Sequence, residues 1–295
     1  MTTMTAAASS KLPLWRTIGQ AYALWARNFP DLLRTVWVWM LVMAPVVAIM
    51  TWWQVPHLEE MMQAARAGKG LVDPNPVLTL VMGIVSKVIT LPAISSVAVA
   101  WHRLLLKDEH PGGVYLRLDR IVAGYAILAF FIGVIGTAPS YFSMLFQAVI
   151  GASAQDTVAL VVQTLAGLVT IVAFFIVTRL SLALPALALG RDDVTLAAAW
   201  RVSKRNSWRM VWAYLFCIVP AMALSGTMTY WLFQPGHSRA AVTVASIVMS
   251  LLWFPLGMIS VGMLPLAYRH FCERSAQAQS GGAVGLGAPA FGSRD

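Results

Sequence analysis

Six stretches of about 20 or more mostly apolar residues constrain this chain more than any other feature, because a helix of that length spans a hydrocarbon core about 30 Å thick. They cover residues 32–53, 77–98, 121–145, 158–178, 211–233 and 242–264, with polar connections between them. In lipid every backbone N–H and C=O must find its partner within the protein, so runs of this kind fold as helices. The predicted fold class is therefore all-α: a polytopic membrane helical bundle of six transmembrane helices. Composition agrees, with 59% hydrophobic and only 11% charged residues, against about 25% charged in a soluble domain. The first run begins near Leu32, too late and too long for a signal peptide, so the first span is expected to stay in the mature protein.

Orientation follows from the basic residues. Of 21 Lys and Arg, seventeen fall in connections on one side of the six runs and three on the other, while Lys87 lies inside a run. Basic loops stay in the cytoplasm, which places both termini there. Trp52 and Trp53, Tyr230 and Trp231, and Trp101, Trp208 and Trp212 mark run ends, where amphipathic rings settle at the membrane interface. The formal charge of +9 comes in short patches between apolar runs. The expected partner is thus an anionic phospholipid surface, or another membrane protein, and no nucleic acid.

Some runs exceed what a bilayer requires. Val158 continues with little interruption to Leu189, about 48 Å as a straight helix, so a bend or break is expected. Pro45, Pro92, Pro139, Pro185, Pro220 and Pro255 supply one kink site per span or its extension. Kinked helices serve packing geometry, or line a cavity as in transporters. After the first run, a polar stretch containing Pro56, Glu59, Glu60, Arg66, Gly68 and Gly70 reads as a short amphipathic helix opened by proline and closed by glycine.

Ahead of the first span, Trp15, Ile18, Ala21, Tyr22 and Trp25 recur at three- and four-residue spacings, the pattern of an amphipathic helix in the interface. Leu196, Ala197, Trp200 and Ser203 repeat it before the fifth span, with Arg201, Lys204 and Arg205 on the polar side; residues 114–120 form a poorer version before the third. The spacing points to three units, each a cytoplasmic surface helix followed by a helical hairpin. Arg201, Lys204, Arg205, Arg209 and Trp208 are the candidate headgroup contacts, either as simple anchors or as a site for a particular lipid or partner. Residues 1–12 and 275–295 are expected to be disordered, leaving 13–272 as the membrane domain.

The segment Arg179-Leu180-Ser181-Leu182-Ala183-Leu184-Pro185-Ala186, then Ala198-Ala199-Trp200-Arg201-Val202-Ser203-Lys204-Arg205-Asn206 and Trp208-Arg209, resembles the membrane domain of bacterial glycerophosphoryl diester phosphodiesterases and related six-span inner-membrane proteins. Ala100-Trp101-His102-Arg103 is similar to bacterial members of that group. The resemblance implies a six-helix bundle in a bacterial inner membrane, without an activity. In those phosphodiesterases hydrolysis belongs to a separate soluble barrel, and only residues 275–295 follow the last span here.

No catalytic residue, metal ligand set or cofactor motif emerges. No Asp or Glu falls in a span core, which argues against carboxylate-based ion coupling. Sequences such as GxxxxGK[ST], HExxH and GxSxG are missing. His57, His102, His110, His237 and His270 are scattered over both sides, and Cys217 and Cys272 lack metal spacing. Two ionisable residues stand out as candidate ligand contacts. Lys87, about 21 Å along its helix from Trp101, either snorkels to headgroups or faces a cavity with Ser86, Thr90, Gln147 and Gln163. Arg179 either pairs with carbonyls freed by Pro185 or binds a lipid phosphate through its planar fork. Two functions remain open: a non-enzymatic protein that binds lipid or a partner, and a transporter or channel for an anionic or amphiphilic solute around Lys87.

Overall fold

The computed structural model describes residues 11–67, 75–150, 156–191, 195–232, 234 and 237–273. Among them the elements run α1 (Leu14–Arg27), α2 (Phe29–Arg66), α3 (Pro76–Lys107), α4 (Arg120–Ile150), α5 (Asp156–Leu180), α6 (Ala183–Ala188), α7 (Leu196–Ser203), α8 (Ser207–Leu232) and α9 (Arg239–Tyr268), closed by a π-helical turn at Arg269–Glu273. Six of these segments are long and apolar enough to cross a membrane: α2, α3, α4, α5 with α6, α8, and α9 with its π turn. The chain is a multi-pass membrane protein.

Prolines act as expected at some positions and differently at others. Pro45, Pro92, Pro139, Pro220, Pro255 and also Pro265 lie inside continuous helices. The long fourth run breaks at Ser181–Leu182, where Pro185 has no N–H for the Ser181 carbonyl. That carbonyl instead accepts from Leu184 N at 3.0 Å, a three-residue turn that starts α6 on a new axis. Pro56, by contrast, opens no separate helix: α2 passes through it to Arg66. The carbonyl it frees, that of Trp52, is taken up by the Arg239 guanidinium, whose Nε donates at 3.0 Å and whose Cζ lies 4.2 Å from the Trp52 ring centroid. A substitute donor keeps the helix intact. The glycines expected to close that segment, Gly68 and Gly70, fall outside the described residues, as do the tail and residues 1–10.

Short helices precede α2 and α8, whereas residues 108–119 before α4 contain none. Pro111, Gly112 and Gly113 explain this, since proline and two glycines in succession disfavour a helix. A short helix thus stands at two of the three places where the spacing predicted one.

The bundle is packed unevenly along its length. In α3 every fully buried residue lies between Ala93 and Leu105, and in α9 most lie between Pro255 and Tyr268. Small residues make this possible, as membrane helices gain no hydrophobic drive from one another and rely on close contact. A Cβ on Gly262 would sit 3.1 Å from Trp101 Nε1, and one on Gly257 3.1 Å from the Trp253 ring. Nearer its N-terminus, α3 presents Val77, Leu78, Val81, Ile84, Val85 and Val88 outward, bulky side chains suited to lipid contact. One end of the bundle, which also carries most of the basic residues, is therefore tight. The other is open.

Candidate functional site

At the tight, basic end many cations are turned inward onto backbone carbonyls. Arg269 donates to Leu105 O at 2.7 Å, in the last turn of α3. Arg103 and Lys107 reach Ala188 O and Leu189 O at the end of α6. The last four carbonyls of a helix lack intrahelical partners and carry the negative end of its dipole, so a cation there serves as donor and counter-charge together. Arg103 also donates to Glu109 at 2.8 Å, which holds that carboxyl below its ordinary range; partial burial opposes the shift, and Arg117 and Lys107 reinforce it.

Two predicted contacts join this framework. Arg209 donates at 2.7 Å to the carbonyl of Leu12, whose N–H donates to Asn206 Oδ1 at 2.8 Å. Both sides of one residue are gripped, so buried Leu12 is pinned to the start of α8 where disorder was expected. Arg179 donates to Trp200 O and, at 3.1 Å, to Ser203 Oγ, with its Cζ 3.5 Å from the Trp200 ring centroid. Its guanidinium thus ties α5 to α7, and the Ser181 carbonyl is served by the backbone turn instead.

Arg201, Lys204 and Arg205 do the opposite. All three are exposed, and none makes an ion pair or side-chain hydrogen bond among the described residues. They lie on α7 and in the turn before α8, whose Trp208 and Trp212 begin an exposed aromatic row. Phe175 and Trp208 have ring centroids 4.5 Å apart, Trp208 and Trp212 6.0 Å, Trp212 and Phe216 6.0 Å, and Phe216 and Trp15 5.3 Å. Trp208 is 58% exposed and Trp15 69%. A row of tilted aromatic rings, three of them tryptophans, together with unpaired cations matches the chemistry of a membrane interface.

Lys87 occupies a different setting. It is half-buried on α3 and makes no ion pair among the described residues. Of its expected neighbours, Ser86 and Thr90 line a cleft between α2, α3 and α9, whereas Gln163 accepts from Ser143 on α4 at 3.4 Å. The Gln147 side chain falls outside the described residues. Lys87 is not part of the cleft wall, although it stands only about 20° round the helix from Ile94, which is.

Linear reading missed one buried polar pair, His102 on α3 and Tyr125 on α4, which share a hydrogen bond of 3.1 Å. His102 is fully buried, and its Nδ1 has no hydrogen-bond partner among the described residues. Nothing in the local pattern marks Tyr125 as its neighbour, since the two are separated by a span turn. Among the described residues no three His, Cys, Asp or Glu come close enough to hold a metal ion.

No family model, curated protein or solved structure matches the chain.

Proposed function

We propose that this protein is a non-enzymatic component of a bacterial inner membrane, with its basic end in the cytoplasm, and that it binds anionic phospholipid headgroups through Arg201, Lys204 and Arg205. One contrast carries the reading. At the same end Arg103, Lys107, Arg179, Arg209 and Arg269 are engaged by backbone carbonyls, while these three remain exposed beside the row of Trp208, Trp212 and Trp15. Cations held free at an aromatic belt suit phosphate, each contributing about 1 kcal/mol near an anionic surface. Trp208 supplies the interfacial anchor, and Arg179 orients the patch by fastening α7. Transport around Lys87 gains no comparable support, because Lys87 lies off the wall of the nearby cleft.

Reconstitution in nanodiscs of mixed phosphatidylglycerol and phosphatidylcholine, followed by native mass spectrometry of co-released lipid, tests this. Enrichment of phosphatidylglycerol is expected around the parent protein, and replacing Arg201, Lys204 and Arg205 by Gln should remove most of it, about 3 kcal/mol at one per charge. Equal enrichment in the triple variant would rule the patch out.

A further inference from the structure

The open half of the bundle contains a cleft in two adjoining lobes, of about 280 and 370 Å³, that share Thr51 and Gln54. Its wall extends along α2 from Met40 to His57, about 25 Å at 1.5 Å per residue. That is deeper than one leaflet, about half of a 30 Å core. Met40, Met43, Met50 and Met82 supply adaptable apolar lining. Set among them is a line of neutral polar groups: Thr51, Gln54, Ser86, Thr90, Ser246 and Ser250.

Their hydrogen bonding separates them into two kinds. Thr90, Ser246 and Ser250 donate their hydroxyl protons to carbonyls of their own helices at 2.8, 2.9 and 2.9 Å, which leaves their lone pairs free as acceptors. Thr51, Gln54 and Ser86 make no side-chain hydrogen bond among the described residues, so donors as well as acceptors face the cleft. Among the described residues no Lys, Arg, Asp or Glu lines either lobe, and His57 is the one titratable group there, 3.2 Å from Thr79 Oγ1.

An apolar chain leaving lipid for this wall gains little, since lipid tails are as apolar as the side chains. Selectivity must come from the polar line, whose groups are costly to leave unpaired in hydrocarbon. A charged headgroup would meet no counter-charge and lose its hydration, whereas a hydroxyl or ester would exchange hydrogen bonds with Gln54, Thr51 and Ser86. We propose that the cleft is a binding site for a bilayer-borne amphiphile with one long chain and an uncharged, hydroxyl- or ester-bearing head. The site lies in the half of the bundle opposite α7 and does not rest on the headgroup patch there.

The test uses the full chain in phosphatidylcholine nanodiscs with two photo-crosslinking probes of identical diazirine-bearing chain, a monoacylglycerol and the corresponding fatty acid. Crosslinks of the monoacylglycerol should map to the cleft faces of α2, α3 and α9 and be competed by unlabelled monoacylglycerol. Gln54→Leu, which removes about one hydrogen bond, should weaken that competition about fivefold. Ser250→Trp should abolish labelling by filling the cleft. If Ser250→Trp fails to fold, Gln54→Leu and Thr51→Val decide, as both preserve side-chain volume. Crosslinks mapping elsewhere, equal or stronger cleft labelling by the fatty acid, or labelling indifferent to these substitutions would each overturn the site.

Discussion

The Tyr22 hydroxyl donates a 2.8 Å hydrogen bond to the carbonyl oxygen of Phe216, the residue four positions before Pro220. Proline has no N–H to offer that carbonyl, and α1 supplies the replacement. Burial, together with the nearby Cys217 thiol, raises the pKa of the Tyr22 phenol and keeps it a neutral donor. Trp25 reaches from the same helix to Pro255 O on α9 at 2.7 Å. An amphipathic segment expected to float in the interface is fastened into the bundle.

Tyr22→Phe should therefore lower stability by about 1 to 3 kcal/mol, the cost of a carbonyl left without a partner in hydrocarbon. Pro220→Ala restores a backbone donor to Phe216 and should suppress most of that loss. Thermal unfolding in detergent of both single variants and the double gives the coupling; strictly additive losses would show that the phenol does not serve the proline kink.

Arg179→Lys keeps the charge but loses the fork and the flat stack on Trp200. A destabilisation of about 1 kcal/mol is expected, the partly exposed setting holding it near the low end for a charged hydrogen bond. It should be local. Amide exchange in α7 should quicken while that in α3 stays unchanged, and uniform quickening would count against a tether.

Two glycine substitutions should differ in sign. Gly262→Ala places a Cβ 3.1 Å from Trp101 Nε1 in a tightly packed seam, at a cost of about 1 to 3 kcal/mol. Gly167→Ala meets nothing within 4 Å and should stabilise α5 by about 0.5 to 1 kcal/mol. Melting temperatures of the two variants check the contrast.

The Arg103–Glu109 pair gives stability a pH dependence. Because Arg103 lowers the folded pKa of Glu109, its contribution is complete above the ordinary glutamate value and disappears as pH falls through the lowered one. Unfolding curves of the parent and Glu109→Gln should differ at neutral pH and converge on acidification below about pH 4. Curves that stay parallel would remove the carboxylate from this role.

Much of the membrane architecture was legible in the linear pattern because hydrophobic runs and prolines act locally. Leu32 and Val36 belong to a span whatever they touch, and Pro220 frees the Phe216 carbonyl in any α-helix containing both. Pro56 shows where local reading stops. By itself it signals a helix start, yet Arg239, nearly two hundred residues away in the chain, caps the freed carbonyl and α2 continues. The candidate site divides in the same way. Arg201 and Arg209 look alike in sequence, but one is left exposed and the other holds Leu12.

By itself, then, the sequence determined that this chain enters a membrane, how many times it has the length to cross, and where its helices lack a backbone partner. Those properties depend on burying apolar side chains and pairing peptide groups within a segment. Tertiary structure alone decided which distant side chain satisfies each freed carbonyl, which cations remain free, and that α2, α3 and α9 part into a cleft lined by hydroxyls. Each depends on which helix faces land side by side, and hydropathy is too degenerate to specify that when most faces are apolar.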